Sequence, residues 1–573
     1  MKRGGWGLGL GFFILISAII FLGLSIEEKE DFKLNYEDEM SVDKDNSIEE
    51  SIYNPLNELK LVDNKEIYSE DEDSHIDRLY ITLLPPGSSG AVTFEELHNS
   101  INDSNRDYVS DDNDPVVEMV FSTDREYLAT NPYPVPNATI EIRGQSSRFA
   151  SQKSYKIKLF DDTKKWKGFK TINLNKHSSD SLRIRNKLSF DYFEILPDFS
   201  SLRTGFVELY IRDLSSKTKE DKFKSYGLYT FIEQYNKRFL RRHNLDPKGH
   251  LYKAEFFEFH RYPDNIKSKE DITYESSKFE KILEVRGNED HGKLIEMLEN
   301  VNDYNRDINE VVDKHFDRDN LLTWLGVNIL MNNYDTNSRN FTLYSPLNSD
   351  KWFFIPWDYD GAWTEKEYRG KWRKGISAYW NMVLFNRFFK DMDNIEALSK
   401  KIEELSTVIN EENTNKFLNS YYASVKESIF KPPDIDYLRI TQRSYEKEYY
   451  SLGKVTENNK AYYYKSLQNP MPFFLGEPEY EGGSHKFVWS ASYDLQDDDL
   501  SYTFILSTDY EFKNIIAEYR DLQVMSCRVD NLKPGEYFWK VIVYDSKGNW
   551  QEAFDQFIED GKEAHGVRKF IVN

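Results

Sequence analysis

FDRDNLLTWLGVNILMNNYDTNSRNFTLY, residues 316–344, changes periodicity twice, and the fold turns on how it is read. Asp317 or Asp319 can cap a helix in which Leu321, Leu322, Leu325, Ile329 and Leu330 recur at helical spacing on one side. A helix so apolar belongs in a core. The polar run YDTNSRN (334–340) then breaks the pattern, and FTLYS (341–345) and KWFFIP (351–356) read as short strands. The second strand runs into WDYDG (357–361), which sets two carboxylates at a strand end beside a glycine.

Upstream the texture is β-rich. DRLYITLLP (77–85), PVVEMVFST (115–123), ATIEIRGQSS (138–147), KSYKIKLF (153–160) and WKGFKTINLN (166–175) alternate apolar and polar residues. LRIRNKLSFDYFEIL (182–196) reads as a helix stopped by Pro197, followed by the strands TGFVELYI (204–211) and YGLYTFIE (226–233). Helical patterns dominate 274–300 and 395–428. Beyond residue 470 short alternating strands return, and about a hundred residues of this kind predict a β-sandwich. That region resembles a fibronectin type III module, with Trp489, Tyr502, Leu532, Tyr537 and Trp539 supplying its core. The chain therefore reads as α+β followed by all-β, with boundaries at 1–28, 29–75 (an acidic linker), 76–470 and 471–573.

Composition narrows the function. The 573 residues carry a net charge of −23, and residues 27–75 alone hold eighteen Asp or Glu against five Lys. A negative field of this size excludes nonspecific nucleic-acid binding. Cys527 is the single cysteine, so neither an intrachain disulfide nor a thiolate zinc site can form. Residues 6–26 contain no charge and follow Lys2 and Arg3, which predicts a membrane anchor with the remainder on the extracytoplasmic side. The alternative is a signal peptide cleaved near Ser25, leaving a secreted protein.

Chemistry concentrates around 335–361. Asp335 and Asn340 stand in the D-x-x-x-x-N offset of a kinase catalytic loop, where the acid orients a hydroxyl and the amide holds metal. A helix-ending turn gives the same spacing, as a capped turn would give Asp358 and Asp360. More than the spacing matches. IRGQSS (142–147), QKSYKIKLF (152–160), INLN (172–175), LRIRNKLSFDYF (182–193), YGLYTFIEQYNKRFL (226–240), NNYDTNSRNFTLY (332–344) and IPWDYDGAW (355–363) together resemble the CotH-type kinases known from spore coats.

That resemblance implies a divergent, two-lobed protein-kinase-like fold that uses ATP and Mg2+ or Mn2+ to phosphorylate Ser or Thr of a protein substrate. It implies Asp335 as catalytic base and Asn340 and Asp358 as metal ligands, with Asp360 as a further one. Lys153 is favoured over Lys156 and Lys158 as the phosphate-binding cation, and Glu233 as its partner or a metal ligand. Arg143 and Arg185 are candidate phosphate or structural contacts, and Tyr252 and Trp357 candidates to flank adenine. The chain lacks G-x-G-x-x-G, H-R-D and D-F-G: Gly144 stands alone, and Tyr334 occupies the place of the usual Arg. The competing reading is a noncatalytic surface or assembly protein on a degenerate kinase-like fold. The terminal module is expected to bind protein or polysaccharide.

Overall fold

Seven strands close into a barrel: β1 (Ile76–Leu83), β2 (Val117–Ser122), β3 (Ala138–Arg143), β4 (Ser154–Leu159), β5 (Thr171–Asn175), β6 (Thr204–Asp213) and β7 (Lys224–Ile232). This computed structural model describes residues 60–572 except 73, 89, 104–113, 131–134, 198, 217–220, 365–369 and 439. The order is β1-β2-β3-β4-β5-β7-β6, closed by a parallel β1–β6 pairing while the other pairs are antiparallel. Alternation along each strand sends Leu79, Ile81, Met119, Ile140, Ile157, Leu174, Leu209 and Phe231 into one buried cluster. Closure leaves no free sheet edge.

The second lobe is built on a four-stranded sheet, β11-β10-β8-β9, from β8 (His250–Ala254), β9 (Leu283–Val285), β10 (Phe341–Ser345) and β11 (Phe353–Pro356). Around it lie α1 (Arg185–Ile195), α2 (Arg318–Met331), α3 (Met392–Ser406), α4 (Glu411–Ile429), α5 (Gln442–Ser451) and α6 (Val455–Ser466). Asp317 caps α2 by accepting the Asn320 N–H at 2.7 Å, and Asn332 ends it at φ +50°. The sequence predicts one apolar side, yet every residue of α2 from Asn320 to Met331 is buried. The reason is packing on opposite sides. Trp324 stacks on Phe354 of β11 at 4.5 Å, while a Cβ at Gly326 would come within 2.6 Å of Leu405 of α3.

One ion pair pins the lobes together. Lys176, just after β5, meets Asp434 at 2.6 Å, and both side chains are about 1% exposed. Asp434 also accepts the Leu228 N–H at 2.6 Å and the Gln152 amide at 2.9 Å. Gly227, at φ +81°, makes room for it: a Cβ there would lie 2.1 Å from Asp434 Oδ2.

Within the stretch expected to be a solvated linker, Leu61, Asp63 and Tyr68 are buried while most of their described neighbours are exposed. Leu61 joins the main core, and Asp63 receives hydrogen bonds from Tyr68 and His243 at 2.6 Å each. Its charge is acceptable inside because a cation sits against it. The run at 6–26, predicted to cross a membrane, lies outside the described residues; among those described no helix is long and apolar enough to do so.

The C-terminal region is all-β. One sheet pairs β12 (Glu479–Glu481), β13 (Ser484–Val488) and β16 (Ser526–Asp530). The facing sheet orders β15 (Ile515–Leu522), β14 (Ser501–Ser507), β17 (Gly535–Tyr544) and β18 (Trp550–Glu552), with β21 (Val567–Val572) also on β17. A hairpin of β19 (Gln556–Glu559) and β20 (Lys562–His565) sits beside them. Trp489, Tyr502, Tyr537 and Trp539 fill the space between sheets as expected, with Leu532 at its margin.

Candidate active site

A cleft of about 1110 Å³ opens between the barrel and the second lobe. Asp335, Asn340, Asp358, Asp360, Arg143, Arg185 and Trp357 all line it. Local chemistry explains how they arrive there. Asp335 lies on a single 3-10 turn after α2, which Thr336 fixes through its hydroxyl to Asn333 O (2.7 Å) and Tyr379 OH (2.8 Å). Asn340 at φ +60° and Asp358 at φ +53° are both left-handed, conformations that a surrounding structure must enforce. Three contacts do so at the strand end. Asn333 donates its amide to Asp358 O (3.3 Å), Tyr359 N–H donates to Asn186 Oδ1 (2.8 Å), and Tyr359 OH donates to Asn328 Oδ1 (2.9 Å).

His177 completes the acidic corner and was not anticipated from the sequence. Its Nδ1 lies 3.2 Å from Asp360 Oδ2 and its Nε2 lies 3.2 Å from the Asn186 amide. Because Asn186 Oδ1 is occupied by the Tyr359 N–H, its Nδ2 must donate to His177 Nε2. Nδ1–H is then left to donate to Asp360, which orients that carboxylate.

Like charges crowd this corner of the cleft. Burial, with Asp360 and Asp335 nearby, raises the Asp358 carboxyl to about 7 against the partial relief of His177 and Arg143. Burial also tends to raise Asp360, but the hydrogen bonds from His177 and Ser179 bring it below the usual carboxylate range. Asp335 is raised by burial and by Asp360, with Arg339 and Arg373 opposing. One oxygen each of Asp358 and Asp360 and one nitrogen of His177 lie within 4.8 Å of one another. Crowded carboxylates in a half-buried corner, with an amide oxygen lining the same cleft, fit a hard divalent cation.

Five of the candidate residues lie elsewhere. Lys153 donates to Arg148 O at 2.6 Å and is not on the cleft wall. Lys156 and Lys158 share one face of β4 and turn to Glu141 on β3 at 2.9 and 3.8 Å. Glu233 is 1% exposed and bound to His243 at 3.0 Å and to Arg242, with no lysine partner among the described residues. Tyr252 is fully buried, its hydroxyl 2.8 Å from His291. Strand alternation makes the difference, because Lys253, the next residue of β8, faces the cleft. Lys253 ion-pairs with Glu255 at 2.5 Å and Glu284 at 3.4 Å and lies 5.7 Å from the Trp357 ring.

The barrel's contribution is the turn at 144–147. Gly144 takes φ +94°, and a Cβ there would lie 2.0 Å from Ser147 Oγ. Gln145 reaches Glu255 across the cleft at 3.0 Å. Arg143 is held by Asn175, and Arg185 by Asp180 and Glu448 (2.8 Å).

Comparison with known proteins bears on this wall of the molecule. A family model described as CotH kinase protein matches residues 140–463, more than half the chain and every cleft residue named above. The inner spore coat protein H of Bacillus subtilis (strain 168) is 27% identical over 230 residues, covering 39% of this chain. The chain spans 58% of the length of that curated relative. Strands β1 and β2 and the whole sandwich lie outside the matched residues.

Proposed function

Because the chain belongs to the CotH kinase protein family, we propose that it is an ATP-dependent protein kinase that phosphorylates Ser or Thr of a coat or surface protein. The observation that carries this reading is the convergence of Asp335, Asn340, Asp358 and Asp360 on one cleft. Asp335 accepts the hydrogen bond of the acceptor hydroxyl and takes its proton as the new O–P bond forms and the bond from the γ-phosphorus to the departing ADP oxygen breaks. Its burial-raised affinity for a proton suits that role. Asp358, Asp360 and Asn340 would hold Mg2+ or Mn2+, which when bound offsets phosphate charge. Arg143 from the barrel and Lys253 from the second lobe, the latter shared with Glu255 and Glu284, offer cationic groups from the two sides of the cleft, and the polar turn at 144–147 substitutes for a glycine-rich phosphate loop. Trp357 offers a flat face for adenine.

The relative's name supports a spore-coat setting, and the charge-free run at 6–26 supports attachment to a membrane with the cleft outside it. The test is transfer of γ-labelled phosphate from ATP with Mg2+ or Mn2+. Label should appear with the wild-type chain and be lost with Asp335→Asn. Equal label in both removes Asp335 from the chemistry, and none in either favours the noncatalytic assembly protein.

A further inference from the structure

The sandwich carries a second group of carboxylates, none of which lines the cleft. Asp494 and Asp498 lie in the loop between β13 and β14, and Asp545 opens the turn after β17. One oxygen from each lies within 4.8 Å of the other two. Oxygens on opposite sides of a Ca2+ ion, each at about 2.4 Å, are about 4.8 Å apart, so the three can share one ion.

Proximity of acids would not by itself make a site. Asp494, however, is only 5% exposed. Its Oδ1 accepts the N–H groups of Gln496 (2.9 Å) and Asp498 (3.1 Å), while its buried Oδ2 has no hydrogen-bond partner. A carboxylate oxygen in that position loses water without replacement. Asp545, 6% exposed, is held by the N–H groups of Lys547 (2.9 Å) and Asn549 (2.7 Å) and by the Asn549 side chain (2.7 Å). The cation on hand is Lys547, 2.7 Å from Asp498 Oδ2 with its side chain 57% exposed. Against three carboxylates stand this displaceable ammonium and, acting on Asp545, the charge of Lys371.

The same two loops dock the sandwich onto the second lobe. Leu495 is buried in the main core, Tyr493 O accepts the Met471 N–H at 2.7 Å, and Gln496 donates to Leu467 O at 3.2 Å. The turn at Asp545 leads into β18, where Trp550 O and the Glu552 carboxylate receive Lys371. We propose that Asp494, Asp498 and Asp545 form a Ca2+ site that ties together the two sandwich loops seated on the second lobe. Ca2+ is favoured over Mg2+ because it accepts an irregular set of oxygens, whereas Mg2+ demands near-ideal octahedral geometry. This proposal does not depend on the kinase reading.

The test is calorimetric titration of Ca2+ into the full chain after chelation, with Asp358→Asn present so that the cleft does not contribute. One Ca2+ should bind with Kd between about 10⁻⁵ and 10⁻³ M and raise the thermal unfolding midpoint. Adding Asp545→Asn should weaken binding at least tenfold and abolish that rise. Asp498→Asn should do the same while leaving the far-ultraviolet circular dichroism of the calcium-free chain unchanged, since its carboxylate caps no backbone group in the cluster. Absence of binding at about 10 mM Ca2+, or an unaltered affinity in the folded Asp498→Asn chain, overturns the site.

Discussion

Replacing Asp358 by Asn should stabilise the metal-free protein at pH 8 and remove its response to Mg2+ or Mn2+. Burial and the neighbouring carboxylates lift Asp358 from 3.8 to about 7. About 3 pH units at about 1.4 kcal/mol each set a ceiling near 4 kcal/mol on the cost of ionising it in the fold. Asp360 moves in the opposite direction within the same pair, so the net cost lies below that ceiling. The sign follows from the raised value: the folded state holds the proton more tightly than the unfolded one. The penalty is therefore absent below the unfolded value near 4 and complete above about 7. Asn carries no charge at any of these pH values. Thermal unfolding in EDTA should show wild type and Asp358→Asn alike at pH 4 and the variant a few degrees higher at pH 8. Metal at a hundredfold excess over Kd should add about 2.7 kcal/mol to the wild type and nothing through this site in the variant. A variant less stable than wild type at pH 8, or a difference independent of pH, would refute the reasoning.

Lys176→Met should cost about 3–5 kcal/mol by leaving Asp434 buried without its cation, read as a lowered unfolding midpoint. Gly227→Ala should cost a comparable amount, since its Cβ would overlap Asp434 Oδ2; a midpoint within a degree of wild type in either variant contradicts the lobe-pinning role. His243 gives a pH dependence of the other sign. Burial opposes its charge, but Asp63 and Glu233 outweigh that and raise it from 6.5 to about 9. Its contribution, at most about 3 kcal/mol, is complete below pH 6.5 and lost as pH rises through about 9. Denaturation midpoints across pH 6–10 should fall less steeply for His243→Gln, and parallel curves would speak against it.

Local pattern carried the centre of the site. Asp335, Asn340 and Asp358 were legible because helix cap, polar turn and strand end follow one another within a short stretch whose geometry is set by its own backbone. Residues supplied by distant segments were not. His177 meets Asp360 across 183 positions, and only its place in the polar run after β5 hints at it. Lys253 shows how alternation misleads: a strand's period says that neighbours face opposite ways, but not which face meets the cleft. The family resemblance points to Glu233 as the lysine's partner or a metal ligand, but its His243 and Arg242 partners come from the next helix and loop. The strands of the barrel were readable one by one, whereas its closure through the parallel β1–β6 pair depends on packing that alternation does not encode. The acidity of residues 60–75 likewise hid Asp63, whose burial follows from a histidine 180 positions away.

The central claim is that one cleft binds ATP through a metal held by Asp358 and places the acceptor against Asp335. Equilibrium binding of ATP by calorimetry, with and without Mn2+, separates those two parts. The wild-type chain and Asp335→Asn should bind ATP in a Mn2+-dependent manner with similar affinity, while Asp358→Asn should lose the metal-dependent part. ATP binding that is indifferent to Mn2+, or unchanged by Asp358→Asn, would contradict the account.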